Sequence, residues 1–414
     1  MNVVFFEDQL YGNFEPLSLS HPVYMLLLGT SRIYTKWVKA LGAREHSFLC
    51  RPHLAQIIFA ETGREVNTIP ENESVIFING RFVPSEKAIS AVKQLKPGEA
   101  LANGETLMCF SIAQSQTPPL INNLPELFNA GSMEIVRDSL KEKIIDSAPI
   151  NFLWEMISLN GAMIRSEFAE IDARFKSRAK TSSKSAINIE GIVAMASDAK
   201  ISPNVVIDTT DGPVIIDKGV VIDPLTYIKG PCYIGPNCRI VGGKIREECS
   251  FGPVCRIGGE VEESIMLGYC NKYHEGFLGH SYLGEWVNLG AMTSNSDLKN
   301  NYASIKVSSG GTIVDTGQIK VGCFIGDHTK TGIGALLNTG ISIGFSCNLY
   351  GGGLFSERRI ESFSWGTPGN LVKYELDKAM LTASNSMSRR DVVFGEPHIA
   401  LFDGIFKQSA WNKE

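Results

Sequence analysis

From Ile187 to Leu349 the chain keeps returning to an aliphatic residue at every sixth position. Ile216, Ile222, Ile228, Ile234 and Ile240 form the cleanest run, and a one-residue slip leads on to Ile245, Phe251 and Ile257. The period returns at Leu283 and Leu289, and later at Ile319, Ile325, Leu337, Ile343 and Leu349. Six matches neither the two-residue alternation of a half-buried strand nor the 3.6 of a helix, so the pattern reads as a repeat. Its physical solution is a coil with three short flat sides, each carrying one inward aliphatic, about eighteen residues per turn. Like residues then stack on like, and each coil buries its apolar face on its neighbours. Gly235-Pro236-Asn237, Asp223-Pro224 and Gly252-Pro253 fall between the inward positions, where corners need tight turns. A β-sandwich is the competing reading, but sandwich strands do not hold one period for so long.

A chain of 414 residues exceeds one ordinary core, so two or three domains are expected. Val3–Phe6 and Val75–Ile78 read as buried strands among helical patterns, which suggests an α/β domain over residues 1–150. Residues 151–185 read as a helical connector, with Trp154, Met156, Ile157, Met163, Ile164, Phe168 and Ile171 at helix spacing, followed by a polar linker from Lys180 to Ser185. The repeat domain then spans 186–352. A tail over 353–414, helical from about Leu371 to Arg389, is expected to cap the open end.

The formal charge of −5 and the lack of a basic tract argue against a nucleic-acid partner. No apolar run reaches eighteen residues, so no membrane span is expected. Nine cysteines without a CxxC pair predict neither a disulfide framework nor a metal site, and a cytosolic compartment.

The repeat is broken between Cys270 and Val307, and insertions in a solenoid often carry function. His274 and His280 lie there one repeat apart, flanked by Lys272, Lys299 and Lys306. A histidine suits proton removal from an amine attacking a thioester. The lysines suit a phosphate, and Gly290 and Ala291 let a ligand approach the backbone. The plain alternative is a pair of solvated or structural histidines. In the N-terminal half neither GxxxxGK[ST] nor GxGxxG is present. Ser18, Ser20, His21, Arg32 and Lys36 are the weak candidates for holding an anion there, and a polar turn before a surface helix is the bland reading of the same segment.

The pieces PLSLSHPV with TKW, NKYHEGFLGHSYLGEWVNLGA, SDLKNNY and SFSWG resemble the bifunctional glucosamine-1-phosphate acetyltransferase / N-acetylglucosamine-1-phosphate uridylyltransferase family, in an atypical bacterial branch with an altered N-terminal domain. The resemblance implies a nucleotidyltransferase-like (Rossmann-like) α/β domain, then a left-handed parallel β-helix of hexapeptide repeats, although right-handed crossovers are the general rule. It implies acetyl-CoA as co-substrate, an amino-sugar phosphate as acceptor, and homotrimers with the site between adjacent β-helices. It places the catalytic base on His274, with His280 as the alternative one repeat away, an active-site asparagine on Asn288, and Ala291 beside the acetyl-CoA. Phe277 stands where the family has a substrate-binding tyrosine, and Asn295 and Tyr302 match later substrate contacts. In the N-terminal half it implies Mg²⁺ with UTP or another NTP. Asn79 follows the strand where relatives place a metal-binding aspartate, and an amide is a poor Mg²⁺ anchor.

Three functions remain in view from the sequence. One is acyl transfer to an amino-sugar phosphate by the β-helix. Another is nucleotidyl transfer by the N-terminal domain, with the β-helix regulatory or oligomerising. The third is a catalytically silent trimeric scaffold that binds a nucleotide sugar.

Overall fold

The computed structural model describes residues 1–69, 74–113, 130–175, 188–190 and 192–412. The linker expected at Lys180–Ser185 and the first repeat position, Ile187, lie outside the described residues.

The N-terminal half is an α/β domain on one six-stranded sheet. Its strands are β1 (Asn2–Phe6), β2 (Glu45–Phe48), β3 (Ser74–Asn79), β4 (Glu99–Asn103), β5 (Thr106–Ala113) and β6 (Lys141–Ile144). Their spatial order is β2-β1-β3-β5-β4-β6. β1 pairs in parallel with β2 and β3, while β5 runs antiparallel to both neighbours. Along β1, Val3 and Phe5 enter one hydrophobic core and Val4 and Phe6 another, so the strand is apolar on both faces. Helices α1 (Ile33–Leu41), α2 (Ala55–Thr62) and α3 (Glu86–Lys93) follow β1, β2 and β3, and α4 (Ala130–Asp138) precedes β6. Because the crossover from β1 leads to one side and that from β2 to the other, the ligand crevice of this topology lies at the ends of β1 and β3.

Beyond helix α5 (Leu153–Phe175) the chain winds into a left-handed parallel β-helix. One inward ladder runs Met195, Ile216, Ile234, Phe251, Met266, Leu283, Ile325, Ile343 and Ile360, one residue per coil. A second ladder runs Ile201, Ile222, Ile240, Ile257 and then Lys272. The third passes Ile207, Ile228, Ile245, Val261 and Leu278, and its later rungs are Asn295, Leu337 and Phe355. Two expectations change here. The coils continue unbroken from Cys270 to Asn295, with Lys272 and Asn295 taking inward positions that elsewhere hold aliphatics. The real excursion follows Asn295 and includes the antiparallel hairpin Lys306–Ser309/Thr312–Asp315. Ile319 lies on it, 52% exposed, and is not a rung.

Corners are left-handed even where the residue is not glycine. Tyr269, Trp286, His328, Ser346 and Phe363 have φ of +51 to +61° and stack along one edge, while Glu248, Glu263 and His280 do so along another. A positive φ in a bulky residue is ordinarily a hint of function. Here it is the price of turning a corner once per coil.

The parallel stack runs past residue 352 through strands at Gly353–Phe355, Arg359–Ile360 and Ser364–Thr367. Ser364–Thr367 turns back on Asn370–Lys373 as a hairpin whose Leu371 packs on the interior of the last coils. That hairpin covers the end. Helices α6 (Leu376–Ser388) and α7 (Glu396–Gln408) instead lie along the side. Leu401 and Phe402 of α7 join a core shared by the N-terminal domain and the outer β-helix residues Tyr282, Phe324 and Phe345. α5 joins the halves in the same way. Its Trp154 and Met156 sit in that shared core, while Ile164 and Ile171 pack on Ala194, Ile215 and Tyr233. Buried Asn160 pins the joint, accepting from the Gly29 N–H at 2.7 Å and donating to the Glu248 carbonyl at 2.8 Å.

Candidate functional site

At the crevice of the N-terminal sheet, β1 delivers Glu7 and Asp8 and β3 delivers Asn79 and Arg81. Arg81 grips Asp8 with three contacts of 2.6–3.0 Å, and both residues are buried. The Asn79 amide donates to Asp8 at 2.8 Å and to the Leu107 carbonyl at 3.0 Å, while its oxygen accepts from the Arg81 N–H. Glu7 accepts from Arg51 at 3.1 Å and from the Val23 N–H at 2.8 Å. Mg²⁺ favours carboxylate and water oxygens in octahedral array. With Asp8 taken by a guanidinium and an amide at position 79, the described residues do not fit that ion.

The other N-terminal candidates do not converge on an open anion site. His21 Nε2 meets Asp327 Oδ2 of the β-helix at 2.7 Å. Arg32 bridges Glu61 and Glu285, each at 2.8 Å. Lys36 is spent on Glu167 of α5. Burial works against a charged His21, but Asp327 outweighs it and pushes the imidazole up to about 9. Burial and the neighbouring Glu61 push Glu285 up to about 7 against the pull of Arg32. These side chains clamp the domain to the β-helix. Ser18 and Ser20 are buried there, with hydroxyls that find no partner among the described residues.

The two histidines of the β-helix are not equivalent. His280 is buried, with Nδ1 at 2.8 Å from Asp297 and Nε2 at 3.2 Å from Glu263. Burial alone would lower its pKa, but the two carboxylates raise it to about 9. At neutral pH it is an imidazolium with both nitrogens engaged, and it has no lone pair with which to take a proton. Glu262, Glu263 and His280 lie close enough to suggest a metal site. Lys320 and Arg246 meet Glu262 at 3.3 Å each, so the group is a network of ion pairs. His274, by contrast, is exposed on a corner, and among the described residues its ring makes only an edge contact with Tyr273.

Several neighbours fix that corner. The Lys272 ammonium, inside the coil, donates to the carbonyls of Gly258 at 2.9 Å and His274 at 2.8 Å, so it braces the turn rather than meeting solvent. Burial pushes this lysine down to about 8. On the outer face of the same strand Asn271 donates to the Asn288 side-chain oxygen at 2.8 Å. Gly290 is needed by the stack itself, since a Cβ there would meet the Gly332 backbone at 2.6 Å. Ala291 lies one coil below, where its carbonyl accepts from Gly334. Asn295 is an interior rung whose amide pairs with both the N–H and the carbonyl of Gly279, at 2.9 and 3.0 Å. Phe277 is half-buried beside Gly279, and Lys299 donates to the Ser304 carbonyl at 2.6 Å. Tyr302 and Lys306 are exposed on the excursion.

Below His274 the same corner exposes a column of apolar side chains. Met292 stacks beneath Glu275 through a 2.8 Å backbone bond and is 57% exposed. Ile333, one coil further, is 75% exposed, and Leu336 and Leu354 stand outward side by side on the adjoining face. Sequence inspection missed this column because alternate outward residues carry no six-residue signature.

A family model described as sugar nucleotidyl transferase matches residues 3–175. The chain is similar to a bifunctional sugar-1-phosphate nucleotidylyltransferase/acetyltransferase of Sulfurisphaera tokodaii, 31% identical over 149 residues, 34% of this chain and 36% of that protein. It is also similar to the bifunctional protein GlmU of Methanocaldococcus jannaschii, 28% identical over 169 residues, 39% of this chain and 40% of that one. The GlmU of Methanococcus vannielii is 28% identical over 173 residues, 40% of this chain and 41% of the relative. The matches therefore span about two-fifths of these relatives' length. No helix among the described residues is long and apolar enough to cross a membrane. Residues 3–175 are thus similar to the sugar nucleotidyl transferases, a likeness that covers fewer than half of the chain's 414 residues and stands ahead of a parallel β-helix.

Proposed function

We propose that the chain is a transferase of sugar phosphates whose β-helix moves an acetyl group from acetyl-CoA to the amine of an amino-sugar phosphate. The observation that carries this reading is the contrast between the two histidines. His274 is open to solvent on a braced corner, while His280 is locked between two carboxylates. In this reading His274 takes the proton from the attacking amine, Asn288 orients the acceptor, and the thioester lies along the small residues at Gly290 and Ala291. Lys272 then acts as a positioning residue through the His274 carbonyl.

The exposed column supports a homotrimer. Met292, Ile333, Leu336 and Leu354 form the kind of contiguous apolar surface that subunit contacts bury, and a neighbour seated there would close a groove over His274. Ile333→Asp should shift the mass measured by sedimentation from trimer to monomer and lower acetyl transfer with it. A wild-type chain that sediments as a monomer while turning over would count against the groove.

The family match over residues 3–175 keeps a second reading alive, nucleotidyl transfer by the N-terminal domain. The internal pairing of Asp8, Asn79 and Arg81 argues against it. Incubation with UTP, Mg²⁺ and sugar 1-phosphates separates the two readings. Pyrophosphate release without thiol release from acetyl-CoA would overturn the acyl-transfer reading, and thiol release dependent on an amino-sugar phosphate would support it. The compartment in keeping with these substrates is the cytoplasm.

A further inference from the structure

Between the outer face of the β-helix and helix α6 lies a cleft of about 300 Å³. Four cations border it: Arg256 and Lys330 from the β-helix, the lysine donating to the Trp286 carbonyl, and Arg389 and Arg390 from the end of α6. No aspartate or glutamate lines it. Among the described residues the side chains of Arg256 and Arg389 make no hydrogen bond or ion pair. The Nε of Arg390 is buried without a partner. Burial, followed by the like charges of Arg256 and Arg389, lowers the pKa of Arg390. Arg81 and Arg32, by contrast, are held closely by carboxylates. The carboxyl end of α6 supplies about half a negative charge, which eases Arg389 and Arg390 but leaves Arg256 on the opposite wall. The Arg390 Nη1 donates to the Arg389 carbonyl at 3.4 Å, but its Nε is buried without an acceptor in a cleft that no carboxylate lines, an arrangement that suits an anion.

The cleft has a flat side as well. Tyr269, half-buried, stacks on Trp286 with ring centroids 4.1 Å apart and planes 12° apart, and Asn288 stands beside them. We infer that this cleft binds the phosphates of a nucleoside pyrophosphate, with its ring against Tyr269. A nucleotide sugar and coenzyme A share that chemistry. Asn288 is shared with the proposed acceptor site, but a chain with no acetyltransferase activity would still show the binding, so the two readings fail separately.

The test is titration calorimetry on the full chain at low salt with three probes: inorganic pyrophosphate, UDP-N-acetylglucosamine and coenzyme A. At least one organic probe should bind, and which one binds identifies the source. Arg389→Ala/Arg390→Ala should weaken that binding about tenfold or more, and the melting temperature should hold or rise because repulsion is relieved. Tyr269→Ala should weaken the organic probe while leaving pyrophosphate unchanged. Arg256→Ala provides an independent variant on the other wall. Absence of binding by all three probes, or binding indifferent to both arginine variants, would overturn the inference.

Discussion

Lys272→Met tests how the β-helix holds a charge inside its core. Lys272 takes the rung after Ile257, is 2% exposed, and keeps its ammonium between two backbone carbonyls. Burial lowers its pKa to about 8. Against the ordinary lysine value of about 10.4, that displacement corresponds to about 3 kcal/mol favouring the neutral form in the fold. Between pH 8 and about 10.4 the unfolded chain binds a proton that the folded chain has lost, so stability rises with pH across that window. Below pH 8 the whole penalty is present. Methionine has similar length, carries no charge, and orphans two carbonyls at about 1 kcal/mol each. The net expectation is a variant about 1 kcal/mol more stable at pH 7, with no advantage left at pH 10. Denaturant unfolding of both proteins across that pH range measures it. Acetyl transfer should nonetheless fall, since the carbonyl of His274 loses its brace. A pH-independent difference, or a variant that loses more than about 2 kcal/mol at pH 7, would refute a buried ammonium.

His21 tests the clamp between the halves. Its pKa of about 9 is raised, so the stability it contributes is complete below about pH 6.5 and lost as pH climbs through 9. Limited proteolysis should find the domain junction opening above pH 9 in the native chain, and His21→Ala should open it at pH 7 by leaving Asp327 buried and uncompensated. Equal resistance at pH 7 and pH 10 would contradict this. Asn295→Leu would match the aliphatic rungs on either side, yet should destabilise by about 1–3 kcal/mol because the buried Gly279 N–H loses its acceptor, while the Gly279 carbonyl keeps Ser281 Oγ. A higher melting temperature would contradict that reading.

The solenoid was legible because its inward rungs are nearly all aliphatic, from Ile216 to Ile257 and from Ile325 to Leu349. It became illegible where the rungs turn polar. Lys272 and Asn295 satisfy their charge and amide inside the stack, so a hydrophobic period reads them as a break, and the excursion was expected some twenty-five residues early. The same blindness made Lys272 look like a substrate contact. His21 and Arg32 are legible as polar groups, but their partners, Asp327 and Glu285, lie some 250 to 300 residues away in the chain. No local pattern announces such a pair. The basic cleft escaped for a related reason, because α6 brings Arg389 and Arg390 across to Arg256 only after the end hairpin has reversed the chain.

The proposed role of His274 as the base for acyl transfer is tested most directly by thiol release from acetyl-CoA with a panel of amino-sugar phosphates. The native chain should turn over at least one acceptor, and His274→Ala should lower that rate about 10²–10⁴-fold, with unchanged melting temperature and partial rescue by added imidazole. Undiminished turnover in His274→Ala would contradict it.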